Sequence, residues 1–128
     1  MQLSLFTLLV PSYEAGIEAY VGQMGFTLIE DTPLDAPKRW VVVAPDPVAP
    51  PRLLLAAATD GPQRDAIGAQ TGGRVMGFLE TEDFARDHAK LIAAGIRFLE
   101  EPRRESYGTV AVFEDPFGNR WDLIQPAG

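Results

Sequence analysis

The sequence predicts an α+β chain built from two tandem βαβββ modules, and three observations carry that prediction. Apolar, β-compatible runs flank one helix-periodic stretch in the first half, and the same order of elements returns in the second half. Parts of the two halves also align residue by residue. Side-chain periods of 2 and 3.6 distinguish strands from helices, and a repeated pattern is the first test of architecture.

The first strand is "LSLFTLLV" (3 to 10), ended by Pro11. Ser12 is placed to cap the helix that follows, in which Ile17, Tyr20, Val21 and Met24 fall at i, i+3, i+4 and i+7; Gly25 stops it. "FTLIED" (26 to 31) and "RWVVVA" (39 to 44) read as strands separated by the turn residues of "TPLDAPK". The proline-rich loop "PDPVAPP" (45 to 51) leads into the strand "RLLLAAA" (52 to 58). Residues 59 to 73 lose periodicity and read as a connector with room for one short helical turn.

The pattern then restarts with the strand "RVMGFLET" (74 to 81). Thr81, Glu82 and Asp83 make an acidic helix start, and Ala85, His88, Leu91 and Ile92 are the expected buried face of that helix, which Gly95 ends. "IRFLEE" (96 to 101), "YGTVAVFED" (107 to 115) and "RWDLIQ" (120 to 125) complete the second module. "GFTLIED" lies on "GIRFLEE" at an offset of 70, and "RLLL" lies on "RWDL" at an offset of 68. The expected organisation is a single domain over 1–128, with module one at about 1–58, the connector at 59–73 and module two at about 74–126. A ligand cleft framed by the sheets is the natural site in such an arrangement.

Composition narrows the function. A chain of 128 residues suits one domain, and 46% apolar with 23% charged residues suits a soluble globular protein. A net charge of −7 argues against nucleic acid as a partner and leaves room for neutral or cationic ligands. The absence of cysteine removes thiolate catalysis and thiolate metal sites. No basic residue precedes "LSLFTLLV", and no apolar run approaches the ~20 residues of a membrane span, so no membrane partner and a cytoplasmic location are expected.

"LSLFTLLVPSYEAGIEAYVGQMGF", "GGRVMGFLETEDFARDHAKLIAAGIRF" and "VAVFEDPFGNRWDLI" give the chain its resemblance to the vicinal oxygen chelate superfamily, the glyoxalase, bleomycin-resistance and extradiol dioxygenase proteins. The resemblance covers roughly residues 3 to 125; the last segment, an acidic-Pro-x-Gly-Asn turn before a strand with a carboxylate, is its most specific part. It implies an incomplete eight-stranded barrel-like sheet around a cleft, in a homodimer. Family enzymes hold a divalent metal on the first and last strand of each module, positions that correspond here to Leu5, Leu54, Met76 and Asp122.

Three of those four cannot coordinate a metal, and the single histidine, His88, sits mid-helix and reads as a packing or hydrogen-bonding residue. Glu80 is the one other carboxylate expected near Asp122, which is thin support for a hard cation. The expectation is therefore no metal and no cofactor. Asp122 then needs solvent, a cation or a proton, because a lone buried carboxylate is costly. A salt bridge to Arg52, Arg120 or Arg74 is the plainest reading; anchoring a polar or cationic ligand group and acid-base catalysis are the sharper ones. Strand alternation adds Leu5, Thr7, Met76, Phe78 and Glu80 as wall residues, and Trp40 and Tyr107 as aromatic walls, each of which serves equally as packing.

"GAQTGGR" (68 to 74) lacks the Lys-Ser/Thr ending of a phosphate loop, "EEPRRESYG" (100 to 108) reads as a solvated strand connection, and no serine has a histidine that the sequence can pair with it. The leading expectation is a metal-free protein that holds a small organic molecule in the barrel cleft. Bleomycin-resistance proteins, small acidic dimers that sequester a cationic drug, are similar. A metal-dependent lyase, isomerase or dioxygenase is the first alternative. A dimeric scaffold whose cleft is plugged by Leu5, Leu54 and Met76 is the second.

Overall fold

The computed structural model describes residues 1–128. The chain divides into two compact units, Met1–Ile67 and Gly68–Gly128. The first unit holds β1 (Leu5–Val10), α1 (Tyr13–Ile17), β2 (Thr27–Pro33), β3 (Arg39–Ala44), β4 (Arg52–Ala57) and α2 (Gly61–Ala66). The second holds β5 (Val75–Glu80), α3 (Phe84–Ala93), β6 (Arg97–Phe98), β7 (Arg103–Glu105), β8 (Gly108–Glu114) and β9 (Arg120–Pro126).

Each unit is a mixed sheet with one topology. The first runs β1-β4-β3-β2, and the second runs β5-β9-β8 with β6 and β7 both paired to β8. In each, the first and last strands pair in parallel and the remaining pairs are antiparallel. Neither sheet, of four and of five strands, closes on itself. The expected strand at 96–101 is reduced to β6, and β7 forms inside the stretch 100–108 that reads as a connection, which makes nine strands in place of eight. Pro102 brings no N–H to the ladder, and the pairing lapses there.

Each helix packs on one face of its own sheet. A Cβ added to Gly16 would touch Leu55 and Val10, so α1 lies on the side of β1 and β4 where Leu8, Val10, Leu53 and Leu55 are buried. Burying side chains of this size stabilises by about 1.5–3 kcal/mol each. Ser12 caps α1 by accepting the Ala15 N–H, and the helix passes at Glu18 into a π-helical segment, Glu18–Gln23, where a purely α-helical run is expected from the sequence. Met24 N–H there reaches back five residues to Ala19 O.

In the second unit Phe84, His88, Phe98 and Phe113 form a chain of ring contacts at 4.3–5.3 Å between centroids. His88 is thus a half-buried packing residue. The buried face of α3 is Phe84 and Leu91 with His88 beside them, whereas Ala85 and Ile92 are exposed. His88 and Leu91 are as expected, and Phe84 replaces Ala85 because Asp83 caps the helix and puts Phe84 in its first turn. Gly77 has no room for a side chain: a Cβ would lie 2.5 Å from the Trp121 ring. Trp121 and Leu123 therefore fill the helix side of β9, and alternation sends Asp122 to the other side.

Candidate functional site

The face of the second sheet turned away from α3 carries the chemistry. Phe78 on β5 pairs with Asp122 on β9, and Asp122 pairs with Val112 on β8. One step along, Glu80 pairs with Ile124 and Ile124 with Val110. Phe78, Glu80 and Asp122 thus share a face, as the alternation of the strands predicts. Met76 is the extra residue of a bulge between Val75 and Gly77. Phe78 is 67% exposed, a large aromatic surface beside a carboxylate.

Asp122 has an unmet need. Its Oδ1 is buried with no hydrogen-bond partner. Desolvation pushes its carboxyl above the usual carboxylate range; the Arg103 charge opposes that shift and the Glu100 charge adds to it. The expected salt bridge to Arg52, Arg120 or Arg74 is not formed. Arg52 donates to Pro47 O in its own unit, and no ion pair involves Arg74 or Arg120. Arg120 shares the face of Asp122 but stands two residues away along the strand, roughly 7 Å, at its exposed end.

A group that the sequence reading places in a solvated connection completes this face. Glu100 Oε1 accepts from Arg103 Nε at 2.7 Å, and Glu100 Oε2 accepts the Val112 N–H at 2.9 Å. The carboxylate fills the gap that Pro102 leaves between β6 and β7. Arg103 Nη1 also binds Glu105 at 2.9 Å. Arg103 holds the Glu100 carboxyl below its usual range, and Glu100 in turn pushes Arg103 up. The signal in the sequence is the alternation Glu100, Arg103, Glu105 around a proline, which local patterning alone does not place on Val112.

The other anticipated residues lie in the first unit. Thr7 pairs with Leu54, Leu54 with Val42, and Leu5 with Arg52, all on or beside one ladder row. Trp40 pairs with Thr32 and is partly exposed. Elsewhere in this unit a cavity of about 900 Å³ has Ala56, Ala57 and Ala58 among its walls with Tyr13 and Arg39 beside them. Its arginine is already committed, to Asp31 at 2.7 Å and Glu14 at 2.6 Å, and stacks over Tyr13. Arg39 there draws both carboxyls below their usual range, together with the backbone hydrogen bond that is the larger cause for Glu14.

The donor set does not fit a metal. Leu5, Leu54 and Met76 offer no ligating oxygen or nitrogen side chain, and nowhere do three or more His, Cys, Asp or Glu gather to hold an ion. No helix is long and apolar enough to cross a membrane.

Comparison with known proteins gives this geometry a setting. The family model described as Glyoxalase/Bleomycin resistance protein/Dioxygenase superfamily matches residues 2–123. An uncharacterized protein of Shewanella frigidimarina (strain NCIMB 400) is 50% identical over 119 residues, 92% of this chain and 88% of the relative. The crystal structure of UcmS2 superposes with a TM-score of 0.81 at 26% identity, covering 97% of both chains. That of TnmS3, an antibiotic binding protein from Streptomyces sp. CB03234, superposes with a TM-score of 0.77 at 30% identity, covering 99% of this chain and 97% of that one.

Proposed function

Because the chain belongs to the Glyoxalase/Bleomycin resistance protein/Dioxygenase superfamily, we propose that it is a metal-free binding protein for a small organic molecule. The ligand lies against the open face of the second sheet, its flat apolar part on Phe78 and a hydrogen-bond donor on Asp122. The observation that carries this reading is the buried, unpartnered Oδ1 of Asp122. A native fold pairs nearly all of its buried polar atoms, and one left without a partner on an open face is suited to a donor from outside. The exposed Phe78 supplies apolar contact, worth roughly 25 cal/mol per Å² before the costs of ordering are subtracted. The likeness to an antibiotic binding protein at 30% identity supports small-molecule binding. The reading includes a homodimer, as the family resemblance implies, and a cytoplasmic location, as the lack of a signal-like run suggests; light scattering at the elution peak measures the assembly.

Thermal-shift screening of wild type beside Asp122→Ala tests it. Hits that stabilise wild type are expected to lose their shift in the variant, with a ligand at a hundred times its Kd adding about 2.7 kcal/mol. A complete absence of hits across aromatic amines, quinones and polycyclic antibiotics, or hits indifferent to Asp122, refutes the reading. Elemental analysis of protein purified without chelator separates it from the metal-enzyme alternative: one tightly held transition metal per chain removes the metal-free part.

A further inference from the structure

We propose that Glu100 and Glu105 form a clamp that holds Arg103 off Asp122, so that Glu100 is a positioning residue that keeps the binding carboxylate open. The inference rests on the reading of Asp122 as the ligand's anchor.

The register puts Arg103 within range. Arg103 pairs with Val110, Val110 with Ile124, and Asp122 stands two residues before Ile124 on β9. Paired residues share a face, so Arg103 and Asp122 lie on the same side of the sheet, roughly 12 Å apart between Cα atoms by strand spacing. An extended arginine and an aspartate close such a span between them. Arg103 nevertheless gives its Nε to Glu100 at 2.7 Å and its Nη1 to Glu105 at 2.9 Å. Glu100 is itself fixed by the Val112 N–H at 2.9 Å, directly across β8 from Asp122. Without that clamp, the strongest available partner for Arg103 is the unpaired carboxylate of Asp122. Capture would satisfy Oδ1 internally and cost the site its acceptor. The other charged groups on this face compete less: Glu80 stands three strands from Arg103, roughly 14 Å by strand spacing, Glu114 pairs with Arg97 at 3.5 Å, and Arg120 carries the same charge as Arg103.

The test is a carboxyl 13C NMR titration of Asp122 in the ligand-free full chain, in four proteins: wild type, E100Q, R103Q and E100Q/R103Q. Loss of the Glu100 charge alone lowers the Asp122 midpoint by the same amount whether or not Arg103 is present. Capture adds a further drop that needs Arg103. The expected result is that E100Q lowers the midpoint by about one pH unit more in the Arg103 background than in the R103Q background, a tenfold change in proton affinity. Equal drops in the two backgrounds overturn the clamp. A variant that fails to fold is replaced by E105Q with its R103Q partner, which frees the other side of the guanidinium and is judged by the same difference.

The two proposals fail separately. Equal drops alongside ligand shifts that depend on Asp122 remove only the clamp. An Arg103-dependent drop in a protein that binds no compound leaves the clamp and removes the binding reading. Where both hold, compounds that stabilise wild type are expected to lose at least about tenfold in affinity in E100Q and to regain it in E100Q/R103Q.

Discussion

The two units place one ladder row in the same position and fill it differently. In the first unit the row reads Thr7, Leu54, Val42; in the second it reads Phe78, Asp122, Val112. Leu54 and Asp122 stand 68 residues apart and at the same point of the same topology. A leucine there needs only apolar neighbours, whereas an aspartate needs a partner that the second unit withholds. The backbone plan sets where a site can be, and the side chain at one register position decides whether there is one.

The connections into the last strands differ in the same way. The first unit uses the loop 45–51, and the second a tight turn closed by Asp115, whose carboxylate accepts from Phe117 N–H, Asn119 N–H and Asn119 Nδ2 at 2.8–2.9 Å. The largest effect is expected here. Asp115→Ala strands those buried donors and is expected to destabilise by about 3 kcal/mol, read from urea denaturation. A loss under 1 kcal/mol shows that the second unit's last strand does not depend on its turn more than the first unit's does.

Next in size is Leu54→Asp, which gives the first unit the carboxylate of the second. Without a prepared partner it is expected to cost about 2–3 kcal/mol by the same measurement. A neutral outcome would mean that the two rows tolerate a carboxylate equally and that Asp122 carries no special cost.

The smallest change sharpens the comparison at Asp122 itself. Asp122→Asn removes the charge and is expected to stabilise the ligand-free protein at neutral pH by at most about 1 kcal/mol, since part of the side chain meets solvent. The sign follows from the raised carboxyl. Between the ordinary carboxylate value and the raised folded value, the native state binds more protons than the unfolded one, so wild-type stability falls as pH rises through that window. The advantage of the asparagine variant is thus full above the folded value, shrinks as pH falls through it, and vanishes below the unfolded value. Tm measured against pH for both proteins checks this; an advantage that grows in acid contradicts it.

Much of the fold was legible because its signals are local. The β-branched apolar run of 39–44, the cap at Ser12 and the glycine stops at Gly25 and Gly95 each act within a few residues, and all reappear in the structure, both glycines with positive φ. The face of α3 is legible only in part: His88 and Leu91 lie on it, whereas Phe84, next to the Asp83 cap, is buried where the spacing points to Ala85. Glu100 was missed for a different reason. Its role depends on the N–H of Val112, twelve residues on in another strand, and nothing near "EEPRRE" announces that pairing.

The sequence by itself determined the two βαβββ modules, the place of Asp122 between two core residues of β9, and the lack of metal donors at the three other positions. Periodicity and donor chemistry are properties of residues and their immediate neighbours. Only the tertiary structure decided that Asp122 lacks an arginine while Arg103, on the same face, is bound elsewhere. Which of several carboxylates captures a cation depends on register between strands distant in the chain, and register exists only once the sheet has formed.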